Sequence, residues 1–280
     1  MPRDAPIPQA PWRANLALAF ERRSERTVLA SRWHDGPLVV QKSFHPEGDD
    51  VCHAIVVHPP GGIAGGDELS LDVHAGQNAQ ALLTTPGASK WYRTSGAWAR
   101  QRVSIRAAKG SVVEWLPQEA IVFDGARAEL QWHASIAPGA KLIAWDILCL
   151  GRTGSGERFA KGQLRLDMRL QRDDRVLWIE RGVLEPNSSA LQSAPGMGGH
   201  SVVGTMIAAG CEVADEALGA CRALRPGEGD GAVTRMPDVF IARYLGDSSE
   251  AARQYFSAMW GILRPLANGR DALEPRIWRT

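Results

Sequence analysis

The run His58-Pro59-Pro60-Gly61-Gly62-Ile63-Ala64-Gly65-Gly66-Asp67 gathers an imidazole, a carboxylate and four glycines into one short stretch. Gly61 and Gly66 have the spacing of a phosphate-cradling loop, in which lysine must follow the second glycine to meet the β- and γ-phosphates. Asp67 stands there instead, with Glu68 after it, so negative charge occupies the place of the phosphate. That excludes a nucleotide site. The glycines, with Gly151 further on, are expected to supply turns and close backbone approach. Cys52, His53 and His58 suggest a metal cage until strand geometry is applied. In an extended segment Cys52 and His58 share a face but lie about 20 Å apart, and His53 points the other way. His34, His45, His74, His133 and His200 are scattered, without a metalloprotease or EF-hand spacing. Neither Ser155 nor Ser201 has the flanking glycines of a nucleophile elbow.

The carboxylates are more informative. Asp67, Glu119, Asp146 and Glu180, like Glu68, Asp124 and Glu157, lie in or beside Gly/Pro-rich or tightly apolar segments. One expectation is that they cap turns or pair with Arg93, Arg152, Arg158 or Arg181. The other is a series of weak, replaceable contacts along the path of a divalent cation. Several tight ligands would hold a cation rather than pass it on, so no tight metal site and no resident cofactor are expected. Glu114, Glu119 and Asp124 beside Trp115 also imitate a carboxylate pair with an aromatic sugar platform. A carbohydrate-active β-rich hydrolase or lectin is therefore the alternative function.

The elements that must position these groups are mostly strands. From Leu16 to Ile207 apolar and polar residues alternate between frequent turns. This predicts a mainly β chain of large stacked antiparallel sheets, a β-helix-like sandwich, rather than a helix-covered parallel sheet. Val103-Ile105, Lys109-Gly110 and Val112 through Trp115 predict a hairpin. Leu164, Leu166, Met168 and Leu170 form one strand face, and Arg172-Asp173-Asp174 turns into Val176 to Ile179. Two helices are predicted in the C-terminal third. One covers Ala214 to Leu224, acidic at its start and basic at its end. The other has Asp247 as N-cap and stops at Pro265. Residues 1–12, with Pro2, Pro6, Pro8 and Pro11, predict a flexible arm, and residues 13–280 one domain without a visible repeat.

Lys and Arg number 32 against 31 Asp and Glu, a net charge of +1 that argues against a nucleic-acid partner. No run of apolar residues is long enough to span a membrane and the N-terminus lacks the apolar core of a signal peptide, so a cytoplasmic location is expected. Cys52, Cys149, Cys211 and Cys221 then read as reduced, mostly buried thiols. Ten tryptophans are the one skewed count, suited to sheet stacking or an interface.

The glycine-rich loop is followed, in order, by Thr85-Pro86-Gly87-Ala88, Leu116-Pro117-Gln118-Glu119, Phe123-Asp124-Gly125-Ala126, Trp145-Asp146-Ile147, Cys149-Leu150-Gly151-Arg152 and Ser155-Gly156-Glu157. The chain closes on Pro275-Arg276-Ile277-Trp278-Arg279-Thr280. This ordered set, from residue 58 to the last, closely resembles the urease accessory protein UreD family, called UreH in some organisms. Family members often carry Val where Ala64 stands and Asn where Arg279 stands. The resemblance implies a non-catalytic nickel-delivery chaperone that docks on urease apoprotein and binds UreF, which recruits the GTPase UreG. A homodimer within the UreF complex is a further expectation, as is transient nickel(II) in a channel. On this resemblance the nickel-path candidates are Asp67, Glu119, Asp146 and Glu180. Tyr255, Trp260, Ile277 and Trp278 are the partner-interface candidates, and Gly61, Gly62, Gly65, Gly66, Gly151 and Arg152 form a structural motif.

Overall fold

The computed structural model describes residues 11–279; residues 1–10, with most of the Pro-rich arm, and Thr280 lie outside them. Seventeen strands in this span form two sheets. The first runs in the order β14 (Arg175–Leu184), β13 (Gln163–Arg172), β11 (Arg127–Ile136), β8 (Ala99–Ala107), β5 (Glu68–Ala75), β1 (Arg13–Arg23), β2 (Arg26–Asp35). The second runs β16 (Asp230–Met236), β17 (Val239–Gly246), β15 (Val202–Ala209), β12 (Lys141–Leu150), β9 (Val112–Leu116), β6 (Gln80–Thr84), β4 (Val51–Val57), β3 (Val39–Phe44). Short strands β7 (Ser89–Trp91) and β10 (Ala120–Val122) continue it beside β12.

The mainly β, stacked-sheet expectation holds, but the pairing sense needs correction. Antiparallel pairs are confined to the outer strands, such as β1–β2, β3–β4 and β13–β14, and to the wing β12–β15–β17–β16. Between them β1–β5–β8–β11–β13 and β4–β6–β9–β12 are parallel. Parallel sheets are usually covered on both faces and read as unbroken apolar runs. In the first sheet the outer face is open, so its parallel strands keep the alternation of a half-exposed sheet and conceal their direction. In the second the helices cover the outer face, and β4, β9 and β12 are buried almost throughout. Leu164, Leu166, Met168 and Leu170 do share the buried face of β13, which turns back into β14.

The expected hairpin at Lys109-Gly110 is a corner instead. β8 ends in the first sheet and β9 begins in the second, with Ser111 N donating to Ala108 O at 3.0 Å. Equivalent corners close with Ala79 N on Gly76 O and Ala140 N on Ala137 O. Bonds such as Asn78 N to Lys109 O and Lys141 N to Ser111 O stack one corner on the next. The chain therefore climbs as a solenoid, and its repeat lies in geometry rather than in repeated residues.

One apolar core fills the space between the sheets; a second lies between the outer face of the second sheet and the helices. Both expected helices are present, as α2 (Asp215–Ala223) and α3 (Ser249–Asn268), and a single turn, α1 (Ser189–Gln192), is added. Ser248, not Asp247, caps α3: its hydroxyl accepts from Ala251 N at 3.1 Å. Asp247 instead accepts from Ser201 N and Oγ at 2.9 and 2.8 Å. The helix also passes Pro265 and ends at Gly269, because Arg264 and Ala267 are sealed in the core and hold the last turn against the proline's preference.

Arg264 is the anchor of that turn. Its Nε donates to Glu114 on β9 at 3.1 Å, and its terminal nitrogens to Glu47. Trp260 Nε1 and Asn268 Nδ2 also donate to Glu114, at 2.7 and 3.2 Å, and His53 contacts Glu47. Burial pulls the Glu47 carboxyl upward, but the hydrogen bonds from His53 and Arg264 prevail and hold it at about 2. Glu114 is pushed up by complete burial despite Arg264, whose charge it shares.

Candidate functional site

Between the sheets lies a cavity of about 350 Å³. Its lining runs from the loop residues Gly61 to Ile63 and Thr85 to Lys90 inward to Trp115, Trp132, Asp146 and Met168. The alternation of β12 sets Leu142, Ala144, Leu148 and Leu150 toward the inter-sheet core, and Asp146 stands in the same phase. Burial pushes its carboxyl up to about 7, and the charge of Glu180 pushes the same way. The surface Asp146 retains faces this cavity. In register with it across the second sheet stand Thr205 on β15 and Arg243 on β17. Arg243 donates to Thr205 Oγ1 at 2.6 Å and meets Glu180 of the first sheet at 2.6 Å. Glu180 is the cross-strand partner of Met168 in the cavity wall. Asp146 and Glu180 therefore belong to one polar row that crosses an apolar interior.

The other two path candidates lie elsewhere. Asp67 caps the glycine loop: Oδ1 accepts from Trp12 N at 2.9 Å and Oδ2 from Ala64 N at 2.8 Å. Its charge reaches His58 on the cavity wall, whose imidazole is lowered chiefly by burial, with Asp67 opposing. Glu119 is on the opposite side of the second sheet, 3.5 Å from Ser249 Oγ and near Cys149. Burial and then Glu119 push that thiol up to about 12. Three polar atoms in the cavity wall, His58 Nε2, Gln118 Nε2 and Trp132 Nε1, have no hydrogen-bond partner among the described residues. Sequence reasoning weighed His58 as a metal ligand and set it aside, and it missed Gln118 and Trp132 as it missed Thr205 and Arg243.

The structural motif does what glycine and arginine are suited to. A side chain at Gly62 would place Cβ 2.1 Å from the Tyr92 ring, which packs directly on the loop. Gly151 has φ of +87°, and a Cβ there would meet Glu157 O at 2.6 Å. Gly61 and Gly66 complete the turn of the loop and Gly65 passes beneath Thr94. Arg152 lies over Phe123 at 4.6 Å and donates to Glu157 at 2.7 Å. That bond is the main reason the Glu157 carboxyl is held down at about 2. Asp124 accepts from Ala160 N and Lys161 N, so Asp124 and Glu157 are turn caps that staple neighbouring loops.

Three of the partner-interface candidates are core residues rather than surface ones. Tyr255, Trp260 and Trp278 are all buried. Trp278 Nε1 donates to Thr84 Oγ1 at 2.8 Å, and its ring lies 5.6 Å from Trp145 and 5.9 Å from Trp260. Ile277 is half-buried and packs against the same cluster. The carbohydrate-site grouping is also dispersed: Glu114 is bound to Arg264, Trp115 faces the cavity, and Asp124 caps a loop. Among the described residues no three His, Cys, Asp or Glu side chains are grouped to hold a metal ion, and no helix is long and apolar enough to cross a membrane.

Residues 13–279 match the family model described as UreD urease accessory protein. A protein of Dechloromonas aromatica (strain RCB) named urease accessory protein UreD is 49% identical over 100% of this chain and 99% of its own length. Proteins with the same name from Azoarcus sp. (strain BH72) and Pseudomonas aeruginosa are 48% and 46% identical. These cover 97% and 96% of this chain, and 95% of each relative.

Proposed function

The chain belongs to the UreD family of urease accessory proteins, and we propose that it delivers nickel(II) to urease apoprotein as a non-catalytic scaffold in the cytoplasm. It docks on the apoprotein and binds UreF, which recruits the GTPase UreG, and a homodimer forms within the UreF complex. Nucleotide hydrolysis belongs to UreG, in keeping with Asp67 where a phosphate loop needs lysine.

The observation that carries this reading is the cavity with Asp146 in its wall and Glu180 beside it. A divalent cation leaving water needs charge or oxygen ligands to offset dehydration. Asp146 in a mainly apolar wall, with Glu180 beside it, supplies that without the compact ligand set that would trap the ion. His58, kept neutral by burial, offers a nitrogen near the loop end of the cavity. Unpaired polar atoms along the wall suit a partly hydrated passenger. Nickel is thus a transient passenger, not a resident cofactor. Asp67 acts on this path through His58, and Glu119 lies off it.

Urease produced with its accessory partners, with and without this chain, tests the scaffold role. The chain is expected to co-elute with apo-urease and UreF, and urease should acquire nickel only when it is present. Equal nickel content without it, or failure to co-elute with either protein, would overturn the proposal.

A further inference from the structure

Eight large hydrophobic residues are exposed among the described residues, and three of them, Val176, Ile179 and Val183, stand on β14 at 38%, 45% and 47% exposure. β14 is the end strand of the first sheet and, among the described residues, pairs only with β13. It is ten residues long and contains neither proline nor lysine, two of the residues that commonly blunt an exposed edge. Its one irregularity is a bulge at Leu177, near its start, which leaves Trp178 to Leu184 in unbroken register; β3, at one edge of the second sheet, is only six residues long. The outer rim of β14 thus presents a row of backbone donors and acceptors beside exposed β-branched side chains.

The surroundings of this rim are basic. On β13, Arg165 is in register with Val183 and Arg169 with Ile179. Arg165 lies over the Trp98 ring, and neither it nor Arg169 has a carboxylate partner among the described residues. Arg181 is neutralised by Asp167, and Glu180 points inward to Arg243. Arg175, also on β14, is likewise paired, with Asp238, so the uncompensated cations lie one strand in from the rim, where long acidic side chains of an added strand can reach them across Val183 and Ile179.

We propose that β14 is a docking edge for an extended segment of a partner protein that alternates apolar and acidic residues and adds to the first sheet as its eighth strand. Backbone hydrogen bonds supply affinity, and Arg165 and Arg169 select for acid. The partner would then lie along the strand that carries Glu180, although the proposal does not depend on the nickel path.

The test uses the full chain and a labelled peptide, matched in length to β14, that alternates valine with glutamate. One control replaces glutamate with lysine; another is N-methylated on alternate amides and cannot complete a ladder. The glutamate peptide should bind saturably, with both controls weaker by at least about tenfold, and amides of residues 175–184 should gain protection from hydrogen exchange. Ile179→Asp combined with Val183→Asp should weaken binding to the same degree with an unchanged melting temperature. Should that variant melt early, Arg165→Gln with Arg169→Gln gives the reading instead: it should weaken the glutamate peptide and abolish discrimination against the lysine one. No saturable binding, equal binding of either control, protection confined to another strand, or a dimer that β14 substitutions dissociate would each overturn the proposal.

Discussion

Replacing Arg264 with Met removes the only cation that Glu114 touches among the described residues, while filling much of the same space. Glu114 and Glu47 then remain beside each other, with His53 the nearest group able to carry positive charge. Breaking a buried ion pair from one side costs about 3–5 kcal/mol, because the remaining charge stays desolvated. For a chain of this length that corresponds to a fall in melting temperature of roughly 6–10 °C. The pH profile separates this cause from lost packing. Glu114 is already raised by burial, so without Arg264 it takes a proton more readily. Protonation removes the uncompensated charge, and the deficit of the variant should shrink as pH falls from neutral toward 5. In the unmodified chain Glu47 works in the opposite direction. Its folded value of about 2 lies below the ordinary 4.5, so its stabilisation is complete above that ordinary value and is lost as pH falls toward 2. Calorimetric melting of both proteins across pH provides the assay. Adding Glu114→Gln to the Arg264→Met variant should recover part of the loss. A melting temperature unchanged by Arg264→Met, or a deficit that does not vary with pH, would refute the charge argument.

Trp278→Ala should cost about 3–5 kcal/mol, the usual figure for emptying a buried tryptophan site, and deletion of residues 275–280 should lower the melting temperature at least as much. A tail deletion that melts like the intact chain would show that Trp278 does not hold α3 to the second sheet. Neither ATP nor GTP should produce binding heat at millimolar concentration, since Asp67 is already engaged by two backbone amides and repels phosphate. Saturable nucleotide binding that is lost on Gly66→Ala would contradict this.

Alternation along the chain made the strands and their buried faces legible, as β13 shows with Leu164, Leu166, Met168 and Leu170. It could not show strand direction, because parallel and antiparallel neighbours present the same inward and outward phases. The corner at Lys109-Gly110 was misread for a related reason: a turn between strands of two sheets uses the same residues as a turn between two paired strands. α3 was found by its apolar spacing, but tertiary burial of Arg264 and Ala267 overrode the stop at Pro265. In the candidate site, Asp146 was singled out by its motif, although its phase among Leu142, Ala144, Leu148 and Leu150 already carried the signal. The same test, a polar residue at an inward position, would have found Thr205 between Val203 and Ile207 and Arg243 between Ile241 and Leu245. Burial of Trp260 and Trp278 was not legible, since aromatic excess marks interfaces and cores alike.

The most direct test of nickel passage is the nickel content of urease matured with the Asp146→Asn and Glu180→Gln variants. Both amides preserve shape while removing charge from the inter-sheet row. Each variant should co-elute with UreF and apo-urease as the unmodified chain does, yet yield urease with less nickel, and the double variant should yield the least. Fully assembled double-variant complexes that load urease with a full complement of nickel would contradict passage along these carboxylates.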